Sequence, residues 1–156
     1  MKPTLLLDFD GTLSDPVLLF EQYTDFLTND FATTHGGDTG TWNTLVRTML
    51  WDLSQDFADY FYTNPFADYH AYMKSQYTHS TQIVCEHIGV PLPSDPVRFA
   101  RDTQIRALQH CNAFYEDVAD TLNLLHQQGY TMVMASGQES EFLKAALEGA
   151  GVAHIP

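Results

Sequence analysis

Two aspartates on alternate positions, Asp8 and Asp10, directly follow the apolar run Thr4-Leu5-Leu6-Leu7. Alternate side chains of a strand share a face, so a short apolar strand ending here delivers two carboxylates to its C-terminal tip. Gly11 lets the backbone turn sharply at that point, and Thr12 and Leu13 follow. In open α/β sheets ligands bind at this edge, outside the carboxyl ends of the strands. Two carboxylates there suit a hard cation such as Mg²⁺, which takes oxygen ligands and keeps several waters. One carboxylate could also attack phosphorus and form an aspartyl-phosphate.

A hydroxyl stands at the end of a second apolar run. Tyr130-Thr131-Met132-Val133-Met134-Ala135 reads as a buried strand by composition, and Ser136-Gly137 terminates it before a helix from Ser140 to Ala150. A serine at such a tip, with backbone N–H groups and a helix N-terminus behind it, makes a phosphate cradle. A bare Ser-Gly after a strand is a weak signal by itself.

The elements between these sites are helical. Val17 to Phe31 carries apolar residues at helical spacing, with Asp15 as N-cap and Pro16 at the first helical position. A Gly/Thr-rich loop is expected over Thr33 to Thr41, then a helix from Trp42 to Tyr62 broken by Asn64-Pro65. Further helices are expected from Phe66 to Ile88, closed by Gly89, and from Ser94-Asp95-Pro96 to His110. Asp117 to Gln128 is amphipathic, and Val152 to Ile155 could begin another strand. A helical stretch of this length does not fit a βα loop. It reads as a small helical domain, residues 16–112, inserted into an α/β core made of residues 1–15 and 113–156. The echo of Phe57-Ala58-Asp59-Tyr60 in Phe66-Ala67-Asp68-Tyr69 is too short for a repeat architecture.

The segment Asp8-Phe9-Asp10-Gly11-Thr12 resembles the first motif of the haloacid dehalogenase-like (HAD) hydrolase superfamily, Asp-x-Asp-Gly-Thr. Ser136 resembles its second motif. The resemblance implies a partial Rossmann-like core with a parallel sheet and an inserted α-helical cap. It also implies a nucleophilic Asp8, a general acid/base Asp10, Mg²⁺ held by Asp8 and Asp10, and substrate phosphate held by Gly11, Thr12, Ser136 and Gly137. Members that displace halide lack an acid at the second position, so Asp10 favours phosphoryl transfer. The expected activity is Mg²⁺-dependent hydrolysis of a small phosphorylated metabolite. The alternative is a catalytically inactive HAD-like binding or interaction module. A phospho-acceptor signalling domain is disfavoured, since such domains resemble a layout with the acceptor on a later strand and no large helical insertion.

The chain departs from the family pattern after Ser136. A lysine and then one or two acids are expected further on, and the sequence reaches Pro156 without them. Its lysines are Lys2, Lys74 and Lys144, and Lys144 comes too early. A fragment of a longer enzyme is the preferred reading. Otherwise the edge of Leu5-Leu6-Leu7 would be open, and oligomerisation would be one way to cover it.

Bulk properties narrow the partners. The 156 residues include seven basic and twenty acidic side chains, a formal charge of −13, and 44% hydrophobic residues. Nothing is available to neutralise a run of phosphates, so nucleic acid and anionic membrane are disfavoured and neither is expected as a partner. No signal peptide and no bilayer-length apolar run is present, which makes the cytoplasm the default. Cys85 and Cys111 read as ordinary thiols, and the scattered histidines as surface or core residues. The aromatic residues between Trp42 and Tyr72 read as the core of the helical insertion, with a minority selecting substrate. Arg98, Arg101 and Arg106 share one helix and read as a solvated face or as readers of an anionic group.

Overall fold

The structure is a computed structural model that describes residues 2–153. Eight elements follow in order: β1 (Thr4–Leu7), α1 (Pro16–His35), α2 (Thr39–Thr63), α3 (Tyr69–Ile88), α4 (Pro96–Gln109), α5 (Val118–Gln127), β2 (Thr131–Met134) and α6 (Ser140–Gly149). The chain divides into two compact units, residues 1–26 with 104–156 and residues 27–103.

The first unit holds the sheet. β1 and β2 pair in parallel, with Leu5 opposite Met132, Leu6 opposite Val133 and Leu7 opposite Met134. The ladder continues past the strands through the Ala135 amide, which donates to the Leu7 carbonyl at 2.8 Å. Met132 is buried, but Leu6 is 73% and Val133 43% exposed. The expectation of two buried strands is therefore corrected. A parallel sheet buries both faces only where helices cover both, and here the face shared by Leu6 and Val133 is open. Phe9, Leu122, Phe142 and Val152 are among the residues that make the core of this unit. Val152 and Ala153 are not in a strand, and the rest of the segment expected to start one lies outside the described residues.

The helix ends follow local side-chain chemistry. The Asp15 carboxylate accepts from the Val17 and Leu18 amides and starts α1. α1 continues beyond Phe31 to His35, and the connection to α2 is only Gly36 to Asp38, much shorter than the loop expected over Thr33 to Thr41. Asp38 accepts from the Thr41 amide at 2.8 Å, and that cap draws Thr39 to Thr41 into the helix. α3 starts at Tyr69 instead of Phe66, because Asp68 accepts from the His70 and Ala71 amides as its N-cap. The intervening turn is closed by the Ala67 amide on the Asn64 carbonyl.

The second unit is built from the ends and centres of four helices. Trp42 is 2% exposed and packs on Phe31 and edge-on against His87. Tyr72 and Tyr77 are buried as well. The aromatic set is nevertheless only partly core, because Trp51, Phe57, Tyr60, Tyr62 and Phe66 are exposed. That corrects the reading of these residues as a core. Arg98 is exposed and pairs with Asp102 one turn on, and Arg101 lies over the Tyr77 ring. No helix among the described residues is long and apolar enough to cross a membrane.

Candidate functional site

The site residues meet because the strands are parallel neighbours in register. Leu7 and Met134 are partners, so Asp8 and Ala135 leave adjoining strands at the same end. Asp8, Asp10, Gly11 and Thr12 are exposed there, while Phe9 between the two acids is 1% exposed. The Phe9 ring packs edge-on against Phe114 at 5.8 Å. The alternation that sends Phe9 inward sends both carboxylates outward.

The turn after the acids is fixed by the backbone. The Phe9 carbonyl accepts from the Leu13 and Ser14 amides at 3.0 and 3.1 Å, and from the Ser14 hydroxyl. Gly11 sits at φ +74°, a left-handed conformation that costs other residues free energy. The Gly11 amide donates to the Ser14 carbonyl. Asp15 and Tyr115 amides then tie the loop to Ala113 and Leu13 carbonyls.

Each carboxylate has one oxygen engaged. The Thr12 hydroxyl donates to Asp8 Oδ2 at 2.8 Å. The Gln138 amide nitrogen donates to Asp10 Oδ1 at 2.7 Å, across 128 positions of sequence. The Gln138 backbone amide in turn donates to Ser136 Oγ at 3.1 Å. The turn that carries Ser136 and Gly137 is thereby latched to the turn that carries Asp10. Sequence reasoning missed Gln138. A polar amide two positions after a strand-end serine is the signal that could have found it.

Of the lysines, Lys2 and Lys144 belong to the unit that holds the site. The Lys2 ammonium donates to the Gln128 carbonyl and lies 4.6 Å from the Tyr130 ring centroid, before the strands begin. Lys144 is exposed on α6. Among the described residues no three His, Cys, Asp or Glu side chains converge as a metal cage. Two exposed carboxylates with room for water are nevertheless the donor set that Mg²⁺ takes, since it keeps several waters and uses one or two carboxylates. Cys111 is buried and donates to the Ala107 carbonyl, and burial pushes its thiol up to about 11.

A parallel sheet whose strand tips carry acids and a hydroxyl, interrupted by a helical insertion, defines a partial Rossmann-like core with an α-helical cap. Residues 2–155 match the haloacid dehalogenase-like hydrolases, and the chain belongs to that family. A 41-residue segment is 44% identical to a phosphoglycolate phosphatase of Aliivibrio fischeri, covering 26% of this chain and 18% of that protein. Two structures of the L-2-haloacid dehalogenase from Xanthobacter autotrophicus share the fold. One aligns at 17% identity with a TM-score of 0.51, and the other, with chloropropionic acid covalently bound, at 14% and 0.50. Each alignment covers 99% of this chain and 54% of the dehalogenase, so the chain spans about half the length of these structures.

Proposed function

We propose that the tips of β1 and β2 form the site of a phosphoric monoester hydrolase acting on a small phosphorylated metabolite. The observation that carries the reading is the second acid: Asp10 stands beside the nucleophile position and is held by Gln138 from the Ser136 turn. A halide leaves without a proton, whereas an alkoxide leaving group needs one. The short likeness to a phosphoglycolate phosphatase points the same way.

With Asp8 Oδ2 engaged by Thr12, Oδ1 is assigned as the nucleophile. It attacks phosphorus, the bond to the leaving oxygen breaks, and Asp10 gives that oxygen a proton. Asp10 then takes a proton from a water whose oxygen attacks the aspartyl-phosphate, releasing phosphate and restoring Asp8. Ser136 and the backbone N–H of Gly137 are assigned to the phosphoryl oxygens, while the Gly11 and Thr12 amides are used within the turn on the Ser14 and Phe9 carbonyls. Asp8 and Asp10 are the residues that would hold Mg²⁺, Asp10 by an atom other than the carboxyl oxygen that carries the proton, and the ion would supply positive charge against the anionic substrate.

A second reading has its own support. Lys2 is committed to Gln128 and Tyr130, and Lys144 is exposed on α6, so neither is assigned to the phosphate. A module that binds a phosphorylated ligand without turnover fits those positions. One experiment separates the readings: assay of p-nitrophenyl phosphate and phosphoglycolate with Mg²⁺ and with EDTA, beside calorimetric titration of both compounds. Turnover that requires Mg²⁺ and falls by orders of magnitude in Asp8→Asn supports the hydrolase. Saturable binding without turnover supports the module. Neither binding nor turnover discards both.

A further inference from the structure

The second half of α2 lacks a buried face. Every residue from Ser54 to Tyr60 is exposed, and Tyr62 and Phe66 are 89% and 100% exposed. Two stripes run side by side along this stretch. Trp51, Gln55, Ala58 and Tyr62 follow helical spacing on one, and Asp52, Asp56 and Asp59 on the next. Phe66 follows, fully exposed, in the turn before α3, where Asp68 is engaged as the N-cap. Between Arg47 and Lys74 the sequence has no lysine or arginine, and His70 is the one basic-capable side chain.

On the inner side Tyr60 stacks on Tyr72 at 4.5 Å, and Phe57 and Phe61 meet the same ring edge-on. The helix is thus fastened to α3 by one aromatic cluster, while Trp51, Tyr62 and the three aspartates are exposed; burial and then the neighbouring Asp56 charge push the Tyr72 hydroxyl up. An exposed aromatic patch of this kind marks a binding surface. Its charge selects the partner. Carboxylates beside aromatic faces attract a cation through both ion pairing and the ring quadrupole. A second copy brings the same acidic stripe and is repelled, as is an anionic membrane.

We propose that the α2–α3 hairpin is a docking surface for an amphipathic segment of another protein that carries Lys or Arg beside apolar side chains. The apolar side chains cover Trp51, Tyr62 and Phe66. The basic ones meet Asp52, Asp56 and Asp59.

Trp51 is 62% exposed and Trp42 is buried, so a change in tryptophan emission reports on this surface. The probe is a fluorescein-labelled helical Leu/Lys peptide, with a Leu/Glu peptide of the same pattern as control. The Leu/Lys peptide is expected to bind saturably and to shift Trp51 emission, and the Leu/Glu peptide not to bind. Asp56→Asn/Asp59→Asn and, separately, Tyr62→Ala/Phe66→Ala are each expected to weaken binding at least about fivefold. Glu116→Gln/Asp120→Asn removes the same charge elsewhere and is expected to leave binding unchanged. Equal weakening by that control pair would reduce the effect to net charge and overturn the proposal. So would binding of both peptides alike, self-association lost in Phe66→Ala, or equal binding to zwitterionic vesicles.

Discussion

Phe9 is the residue on which the acids depend. Its burial between Asp8 and Asp10 fixes which way each carboxylate points, and its carbonyl anchors the turn behind them. Asp10→Asn keeps the size of the side chain and its contact with Gln138, so folding should persist. The rate should fall by about 10²–10⁴, the usual contribution of general acid–base catalysis. Stopped assays across pH check this, and an unchanged rate and pH profile would remove Asp10 from the proton-transfer role. Cys111 makes a separate prediction. Its thiol is raised from 9.0 to about 11 by burial, so the folded state disfavours the thiolate. The raised value stabilises the fold fully below pH 9.0, and that contribution is lost as pH rises toward about 11. Alkylation of Cys111 by iodoacetamide should therefore stay slow through mildly alkaline pH and accelerate only on unfolding or near pH 11. Peptide mass mapping of the modified chain checks it.

At the scale of elements, α6 is seated by a close approach. A Cβ on Gly149 would stand 2.4 Å from the Cys111 carbonyl oxygen and 2.5 Å from that of Leu108. Both are backbone atoms that cannot swing aside. Gly149→Ala should cost about 1–3 kcal/mol, as overpacking does, and lower the melting temperature by several degrees. A Cβ on Gly137 meets nothing within 4 Å, so Gly137→Ala should leave the melting temperature unchanged. Paired thermal melts by circular dichroism check the contrast. Legibility in the sequence also divides at this scale. The acids after β1, the serine after β2 and the caps Asp15 and Gly89 announce themselves through local chemistry. The identical tetrapeptides Phe57-Ala58-Asp59-Tyr60 and Phe66-Ala67-Asp68-Tyr69 show where local chemistry stops. The first lies inside α2, whereas in the second Asp68 caps α3 after Asn64-Pro65 has broken the chain. Context upstream, not the four residues, decides between them. The exposure of Leu6 and Val133 was hidden for a related reason, since burial belongs to whatever covers a strand and not to its composition. Gln138 was hidden because its partner is 128 positions away.

The whole molecule carries a formal charge of −13, spread over aspartates and glutamates that far outnumber the basic side chains. Self-repulsion of that size works against compactness. Screening should relieve it, so raising NaCl from about 0.05 to about 0.5 M should raise the melting temperature, with scanning calorimetry as the check. The parallel pairing of β1 with β2 has a consequence in time. Its partners are separated by the entire helical insertion, and closing so long a loop costs entropy before any ladder bond is gained. Helical turns and the α2–α3 contacts are local by comparison and need no such closure. The carboxylates are therefore the first site residues to leave a ribosome and among the last to find their neighbours. Pulse-labelled hydrogen exchange during refolding should show the amides of α3 protected before those of Met132 to Ala135. Simultaneous protection would mean instead that the two ends of the chain meet early and the insertion condenses around them.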